Sequence, residues 1–274
     1  MDNNFNKTNQ KLISVTKKWW FYVILILLQF SIPPYASRNF NIAEWSNIII
    51  ITLRNGLLYL ISECYPYFQT AAIVVIISLL IFKNKFAKIF NIYVALSYLV
   101  FIIFQNIAYT EKFGLSIVSI NVIMFLLVVI SWIWEIFTSQ NNYSFPKLKI
   151  WKYWIVILAL FAFWSPIELI DLQPNFNPKY IITNVSSLTF CMMTPIFLTI
   201  MILNYPKINI VTLRITSIIG TILGIYNVFN FFAPKGFWLG IVHIPLIVIS
   251  VYGLILSLKI HSIPESKEGF RRQM

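Results

Sequence analysis

The sequence predicts an all-α fold, a polytopic bundle of transmembrane helices. Only 11% of its residues are charged and 59% are hydrophobic, whereas about one quarter of a soluble domain is charged. The apolar residues form runs of about twenty, which is the length that a helix needs to cross about 30 Å of hydrocarbon. The runs are unbroken at residues 73–82 and 122–130, whereas strands of a transmembrane barrel alternate apolar and polar residues. The pattern therefore excludes a soluble domain and a barrel.

Eight spans are expected to cross the cell membrane, all within one integral membrane domain of residues 1–274. They lie at residues 19–32, 66–82, 89–109, 115–137, 151–170, 181–203, 212–232 and 236–258. The two ends of the chain, residues 1–17 and 259–274, are expected to be cytoplasmic tails. The lipid bilayer is accordingly the first partner that the sequence predicts.

The distribution of Lys and Arg predicts the orientation, because positively charged loops are retained in the cytoplasm. Sixteen of the 21 basic residues fall in the tails and in alternate loops. They are Lys7, Lys11, Lys17, Lys18, Lys83, Lys85, Lys88, Lys147, Lys149, Lys152, Lys207, Arg214, Lys259, Lys267, Arg271 and Arg272. Both termini are therefore predicted to be cytoplasmic. The net charge of +12 is explained by topology and not by nucleic acid, since no basic helix or aromatic RNA motif accompanies it.

Residues 43–62 are apolar enough to insert but carry Arg54, Asn55 and Gly56 in their middle. Counting them as a span would move every later loop to the opposite side of the membrane and place the lysine-rich loops outside. We therefore expect an interfacial or re-entrant helix in the outer leaflet. The first span also resembles a secretory signal, although residues 33–37 lack the small-residue pattern of a cleavage site.

An internal repeat is suggested by the order of several short motifs. Residues 18–20, followed by an apolar run and by Asn39-Phe40-Asn41, are echoed by residues 152–154 and Asn175-Phe176-Asn177. Residues 115–120 also resemble residues 239–244. A parallel repeat of four plus four spans is one interpretation, and it is an arrangement that transporters use. Chance matches in an isoleucine-rich chain are the alternative.

Polar residues inside spans are costly, so their depth is the best indication of a site. They fall mainly in the outer halves of the spans, where Gln105 and Ser187 lie, and the inner half is expected to be drier. Five of them are predicted to enclose one outward-facing substrate pocket: Glu168, Asp171, Asn184, Asn227 and His243. A hydrated helix end for the two acids, and simple packing for the others, are the alternatives. Glu135 is interpreted as an interfacial carboxylate within an aromatic belt.

No motif assigns a reaction to the chain. Two cysteines exclude a disulfide framework, and neither they nor His243 have the spacing of a metal site. No phosphate-binding glycine loop, zinc-protease helix or serine elbow occurs, so no cofactor and no metal are expected. The small residues Gly220 and Gly224 are interpreted as a helix-packing face, through which copies of the chain or other subunits could associate.

The order Cys191, Asn227 and His243 resembles that of the eight-span exosortases, which carry a membrane cysteine, an arginine and a histidine near the outer face. Asn230 stands where the arginine is wanted, which puts this resemblance in doubt. Three hypotheses remain: a permease for a small solute, an accessory or structural subunit, and a membrane enzyme that uses Cys191 and His243. The spread of polar groups in the outer half favours the permease.

The predicted topology can be tested by cysteine labelling in a variant that lacks both native cysteines. Ser139→Cys lies in a lysine-rich loop and should react only with a reagent that crosses the membrane. Asn47→Cys and Glu63→Cys flank the predicted interfacial helix, and both should react with an impermeant reagent added outside. External labelling of position 139, or labelling of positions 47 and 63 from opposite sides, would contradict the topology.

Overall fold

The computed structural model describes residues 2–147, 149–168, 171–233 and 236–259. The described residues are mostly helical and form eleven α-helices and three short strands. The helices are α1 (Asp2–Lys17), α2 (Trp19–Ser31), α3 (Trp45–Arg54), α4 (Tyr65–Phe82), α5 (Ala87–Val100), α6 (Ser119–Thr138), α7 (Trp154–Trp164), α8 (Tyr180–Thr183), α9 (Phe190–Leu203), α10 (Ile210–Val228) and α11 (Phe237–Lys259). The strands are β1 (Tyr35–Ala36), β2 (Ile107–Thr110) and β3 (Gly114–Ile117).

Four helical stretches of the described chain are long and apolar enough to cross a membrane, or up to six if each of two bent helix pairs is one span. The chain is therefore a helical membrane protein. The predicted count of eight spans and the orientation of the termini stay predictions. Of the second predicted cytoplasmic tail, residues 259–274, everything from residue 260 onward lies outside the described residues.

Helices α4, α6, α10 and α11 lie within about one turn of the predicted spans. α4 begins at a proline-containing turn, where the missing backbone N–H costs nothing. α10 begins after Asn209, whose side-chain oxygen accepts hydrogen bonds from Val211 N at 3.0 Å and Thr212 N at 3.2 Å. Long apolar runs with clear end signals were thus predicted well.

The stretch Leu57–Gln105 is 49 residues long and contains α4 and α5. Lys83, between them, has a positive φ of 51°, and the chain reverses there. The reversal brings Gln69 of α4 and Gln105 beyond α5 to the same region, where they accept hydrogen bonds from Ser187 N and Phe190 N. Two predicted spans thus form one antiparallel pair.

The described chain is mostly helical, as an all-α bundle requires, but short strands replace helix at the end of the third predicted span and at the start of the fourth. α5 passes into one π-helical turn, Phe101–Gln105, and the chain then forms a hairpin of β2 and β3. β1 pairs with β3 on the other side, so the sheet order is β1-β3-β2. Gly114 closes the hairpin with a φ of 61°, a conformation that glycine adopts without strain.

The segment at residues 43–62 is also not one helix. It forms α3, which spans ten residues and about 15 Å, and a separate 3-10 helix, Leu57–Cys64. Gly56 interrupts the segment, and a Cβ there would lie 2.9 Å from the carbonyl oxygen of Phe104. α3 packs against β2 and β3, and the Lys112 ammonium donates to Glu44 at 2.9 Å. At 15 Å, α3 is half the length needed to cross the hydrocarbon core.

The two halves of the suggested repeat differ in one of the matched segments. Residues 115–117 belong to strand β3, whereas residues 239–244 lie within helix α11. The matched motifs around Asn39 and Asn175 both lie outside the α-helices. The duplication as a whole stays a prediction.

Helices α10 and α11 form the most extensive helix pair of the described chain. A Cβ on Gly224 would lie 2.8 Å from Ile247 Cβ and 2.9 Å from its Cα, and one on Gly220 would lie 2.3 Å from Ser250 Oγ. The predicted packing face is thus used within the chain. Association of copies through this glycine pair stays a prediction.

Gly224→Ala is expected to destabilise the protein more than Gly220→Ala. The new methyl group at residue 224 meets the backbone of α11, so the helices must separate, at a cost of about 1–3 kcal/mol. At residue 220 it meets mainly a serine hydroxyl, which can rotate or be removed in a Gly220→Ala/Ser250→Ala double variant. Unfolding midpoints in detergent measure the difference. Equal loss of stability in the Gly224→Ala variant and the double variant would contradict this packing.

Candidate functional site

The chain bends sharply just before α9. The helical segment Tyr180–Leu188 and helix Phe190–Leu203 meet at 93°, with Thr189 in an extended conformation between them. Two glutamine side chains bond backbone N–H groups that the bend leaves without helical partners. Gln69 Oε1 accepts from Ser187 N and Gln105 Oε1 accepts from Phe190 N, both at 2.9 Å. In lipid an unsatisfied backbone group costs several kcal/mol, so these amides stabilise the bend.

Asn184 connects this bend to two further helices. Its Oδ1 accepts from Gln69 Nε2 at 2.5 Å and from Ser186 N at 2.9 Å. Its Nδ2 donates to the carbonyl oxygens of Phe163 and Trp164 at the end of α7. We name Gln69, Gln105, Asn184, Ser186 and Ser187 the break cluster.

Two hydroxyl groups in the break cluster lack a hydrogen-bond partner within the described chain. They are Ser186 Oγ and Ser187 Oγ, and both serines are buried. One helical turn into α9, the hydroxyls of Thr194 and Tyr98 lie 3.1 Å apart and bond each other. An unpaired buried polar group costs about 1–3 kcal/mol. A small polar molecule that bonded either serine would recover that cost.

The two predicted acids lie in the loop after α7. Glu168 accepts hydrogen bonds from the Tyr180 hydroxyl and, at 3.3 Å, from Asn175 Nδ2. Asp171 is exposed, and its Oδ1 accepts from Gln173 N at 3.0 Å. Glu168 thus fastens α8 to the loop, whereas Asp171 stabilises a local turn.

The other two predicted residues lie on α10 and α11. Asn227 Nδ2 donates to Leu223 O at 2.8 Å and lies 3.7 Å from the Cys191 sulfur. The buried His243 ring bonds through Nδ1 to Leu239 O at 2.6 Å. All five predicted residues therefore have partners outside their own set. Their gathering into one pocket stays a prediction, and only Asn184 belongs to the break cluster.

A second polar cluster lies at the opposite ends of the helices, around Glu135. The carboxylate is fully buried. Its Oε1 accepts from Asn141 N at 2.7 Å and Asn91 Nδ2 at 3.4 Å, and its Oε2 accepts from Asn209 Nδ2 at 2.8 Å. Glu135 therefore does not extend to water within an aromatic belt, as its position just after two tryptophans suggested, and this side of the bundle also contains buried polar side chains. Several neutral donors replace the water that the carboxylate loses on burial.

Tyr143 completes this cluster from the loop after α6. Its hydroxyl donates to Asn91 Oδ1 at 2.7 Å and accepts from Asn141 Nδ2 at 2.8 Å. Burial, and next the Glu135 carboxylate, raise the pKa of Tyr143 well above its ordinary value. The phenol is therefore a hydrogen-bond donor at neutral pH. We name Asn91, Glu135, Asn141, Tyr143 and Asn209 the Glu135 network.

The Glu135 network shows which helix ends share one side of the bundle. It joins the beginnings of α5 and α10 to the end of α6. Asn84, between α4 and α5, accepts from Tyr143 N, and Asn204, after α9, accepts from Phe145 N. The lysine-rich connections therefore meet on this side, which we name the lysine-rich side.

Arg214 also lies on the lysine-rich side, but inside the bundle. The sequence assigned it to a loop, whereas it stands in the second turn of α10 with no exposed surface. Its guanidinium donates to Ile13 O at 2.9 Å, Thr16 Oγ1 at 2.8 Å and Ser257 O at 2.6 Å. It thereby fastens the end of α1 and the end of α11 to α10. The loop assignment was wrong because a count of basic residues treats every arginine as exposed to water, whereas the guanidinium of Arg214 is buried and bonds backbone carbonyl oxygens.

A comparison with known protein families, curated proteins and solved structures finds no match to this chain. The two clusters must therefore be interpreted from their own chemistry. Every side chain of the Glu135 network has a partner, as expected of a structural support. Within the described residues, the break cluster carries two partner-free hydroxyls; Thr199, Ser217 and Ser250 have partner-free hydroxyls as well, so it is the bent backbone beside them that distinguishes the break cluster.

Asn184, Gln105 and Ser187 were predicted from the sequence to lie in the outer halves of spans, whereas Gln69 and Ser186 were not singled out. Gln69 could have been found from its position inside an otherwise apolar run, because such an amide needs a partner. The Glu135 network could have been found from the asparagines that recur in the lysine-rich loops, such as Asn141 and Asn209.

Glu135→Gln is expected to destabilise the fold. The carboxylate accepts from donors on both oxygens, and an amide would turn an NH₂ group toward one set of them. Leaving one of these donors unpaired costs about 1–3 kcal/mol. Glu63→Gln, at an exposed acid, serves as the control and should change stability by no more than about 0.5 kcal/mol. Denaturation in detergent gives both values, and equal stability of the two variants would contradict a structural role for Glu135.

Proposed function

We propose that the chain is a cell-membrane permease for a small polar solute and that the break cluster forms part of the solute path. The observation that carries the proposal is the 93° bend before α9 together with the two buried hydroxyls that lack partners. Bent backbone at membrane depth is tolerated where protein surrounds it or where it lines a cavity. Transporters use such discontinuous helices to build binding sites near the middle of the bilayer.

Other irregularities in the neighbouring helices support this proposal. α9 and α11 contain Pro195 and Pro245, each of which removes one helical hydrogen bond. Phe101–Gln105 forms a π turn, a feature that is frequent at functional sites. α9 and the π turn, which adjoin the break cluster, therefore depart from a regular helix, and so does α11, which packs against α9.

The chemistry of the break cluster favours an uncharged solute. Its side chains are amides and hydroxyls, which both donate and accept hydrogen bonds but carry no charge. Glu168 and Asp171 lie in the loop connected through Asn184 to the same region, and Asn227 and His243 complete the proposed outward-facing pocket. Neutral polar molecules, such as polyols, match the amides and hydroxyls of the break cluster better than ions do.

An accessory or structural subunit is the second candidate. It is favoured by the observation that Glu168, Asn227 and His243 each bond a group within the chain, as packing residues do. A cysteine–histidine enzyme has less support, because the hydrogen bonds described for Cys191 and His243 run to Asn227 and Leu239.

Ser187→Cys, in a variant without native cysteines, tests whether a path from outside reaches the break cluster. A permease should let a small impermeant methanethiosulfonate reagent label this buried position. Ser217→Cys is the matched control, because Ser217 Oγ is also buried and partner-free. Ser217 packs tightly against α11, since a Cβ on Gly253 would lie only 2.6 Å from its hydroxyl oxygen, and it should therefore not be labelled. Proteoliposomes should also swell in glycerol, erythritol or ribose, and labelling of Ser187→Cys should slow the swelling.

Different results would favour the second candidate. If Ser187→Cys is as unreactive as Ser217→Cys, and proteoliposomes swell no faster than empty liposomes in any of these solutes, the permease proposal fails. His243→Ala provides a further comparison. In a permease it should reduce swelling at unchanged abundance, whereas in a packing role it should lower the unfolding midpoint alone.

A further inference from the structure

An apolar groove of about 300 Å³ opens on the lysine-rich side. This volume is near the lower end of the range for ligand sites, about 300–1,000 Å³. Six residues line the groove: Leu80, Phe145, Pro146, Tyr153, Val156 and Leu203. Leu80 lies in the last turn of α4, Val156 in the first turn of α7, and Leu203 is the last residue of α9. The groove is therefore formed where three helices end or begin.

The surface around the groove has the character of a lipid-facing surface. On α7, Ile157 is 71% exposed and Leu160 is 59% exposed. On α4, Ile77 and Ile81 are 49% and 65% exposed. Apolar side chains with this much exposure require a hydrocarbon environment in a membrane protein. A groove that opens on such a surface is open to acyl chains from the side.

Lysines adjoin the groove residues along the chain. Lys147 follows Pro146, and Lys152 precedes Tyr153. Lys83 and Lys207 lie three and four residues beyond Leu80 and Leu203, after the ends of α4 and α9. Lys152 Nζ lies 5.7 Å from the centre of the Trp151 ring, as is common where a membrane meets water. An apolar groove whose lining residues are followed or preceded in sequence by lysines matches a molecule with an acyl chain and an anionic headgroup.

We propose that the groove binds one anionic phospholipid, with an acyl chain along Leu80, Val156 and Leu203 and the phosphate among Lys147, Lys152 and Lys207. Acyl chains alone would not explain the basic border, and a free phosphate would not explain the apolar lining. Basic pockets between transmembrane helices are known sites for anionic headgroups, and each lysine near the membrane surface strengthens the attraction of the protein for an anionic lipid. The site is separate from the break cluster and does not depend on the permease function.

Native mass spectrometry of the purified full chain tests the site with phosphatidylglycerol and phosphatidylcholine of identical acyl chains. The unsubstituted chain should retain phosphatidylglycerol preferentially. Lys147→Ala/Lys152→Ala should lower that preference on the order of tenfold. Lys179→Ala, at an exposed lysine near the break cluster, should leave it unchanged. Glycerol phosphate, which has the headgroup chemistry without acyl chains, should not displace the lipid.

Variants that fill the groove test the position of the acyl chain. Val156→Trp should reduce the binding of both lipids, whereas Ile157→Trp, at the exposed neighbouring position, should not. Leu203→Phe provides a smaller change if Val156→Trp does not fold. The proposal is overturned if the unsubstituted chain binds both lipids equally, if a folded groove-filling variant keeps phosphatidylglycerol, or if glycerol phosphate displaces it.

Discussion

The buried carboxylate of Glu135 is the constraint on which the lysine-rich side depends. A carboxyl group removed from water needs hydrogen-bond partners, and here the donors come from α5, the start of α10 and the loop after α6. Satisfying this one group therefore fixes three helices and a loop relative to each other. The loop after α6, which donates to Glu135 from Asn141, also contains Phe145 and Pro146. Fixing this loop therefore positions the Phe145 contact to Asn204 and the two loop residues that line the groove.

The two polar clusters differ in how completely their groups are bonded. In the Glu135 network each polar side chain bonds another, so adding a molecule would break bonds before it formed any. In the break cluster the backbone is satisfied by Gln69 and Gln105, but two serine hydroxyls are not. Polar networks of the first kind make a structure rigid, and incomplete ones of the second kind leave bonding capacity for a ligand.

The parts of the fold that were predictable from sequence are those with long apolar runs. α4, α6, α10 and α11 follow from composition and end signals alone. The hairpin of β2 and β3 was missed because each strand has only four residues and adjoins an apolar run, so that it looks like the end of a span. Only the pairing of the strands with each other and with residues near Tyr35 distinguishes them. Glu135 was misinterpreted for a similar reason, since its donors Asn91 and Asn209 lie 44 and 74 residues away. Partners at such separations are not visible in one sequence.

The contacts of Arg214 have a consequence for biosynthesis. Its guanidinium binds Ile13, which is 201 residues earlier in the chain, and Ser257, which is 43 residues later. At about 5–20 residues per second, the first helix emerges roughly 10 to 40 seconds before the arginine that holds it. During that interval α1 lacks the partner that holds it in the finished fold. The contact that joins α1, α10 and α11 can therefore form only when α11 has been synthesised almost to its end.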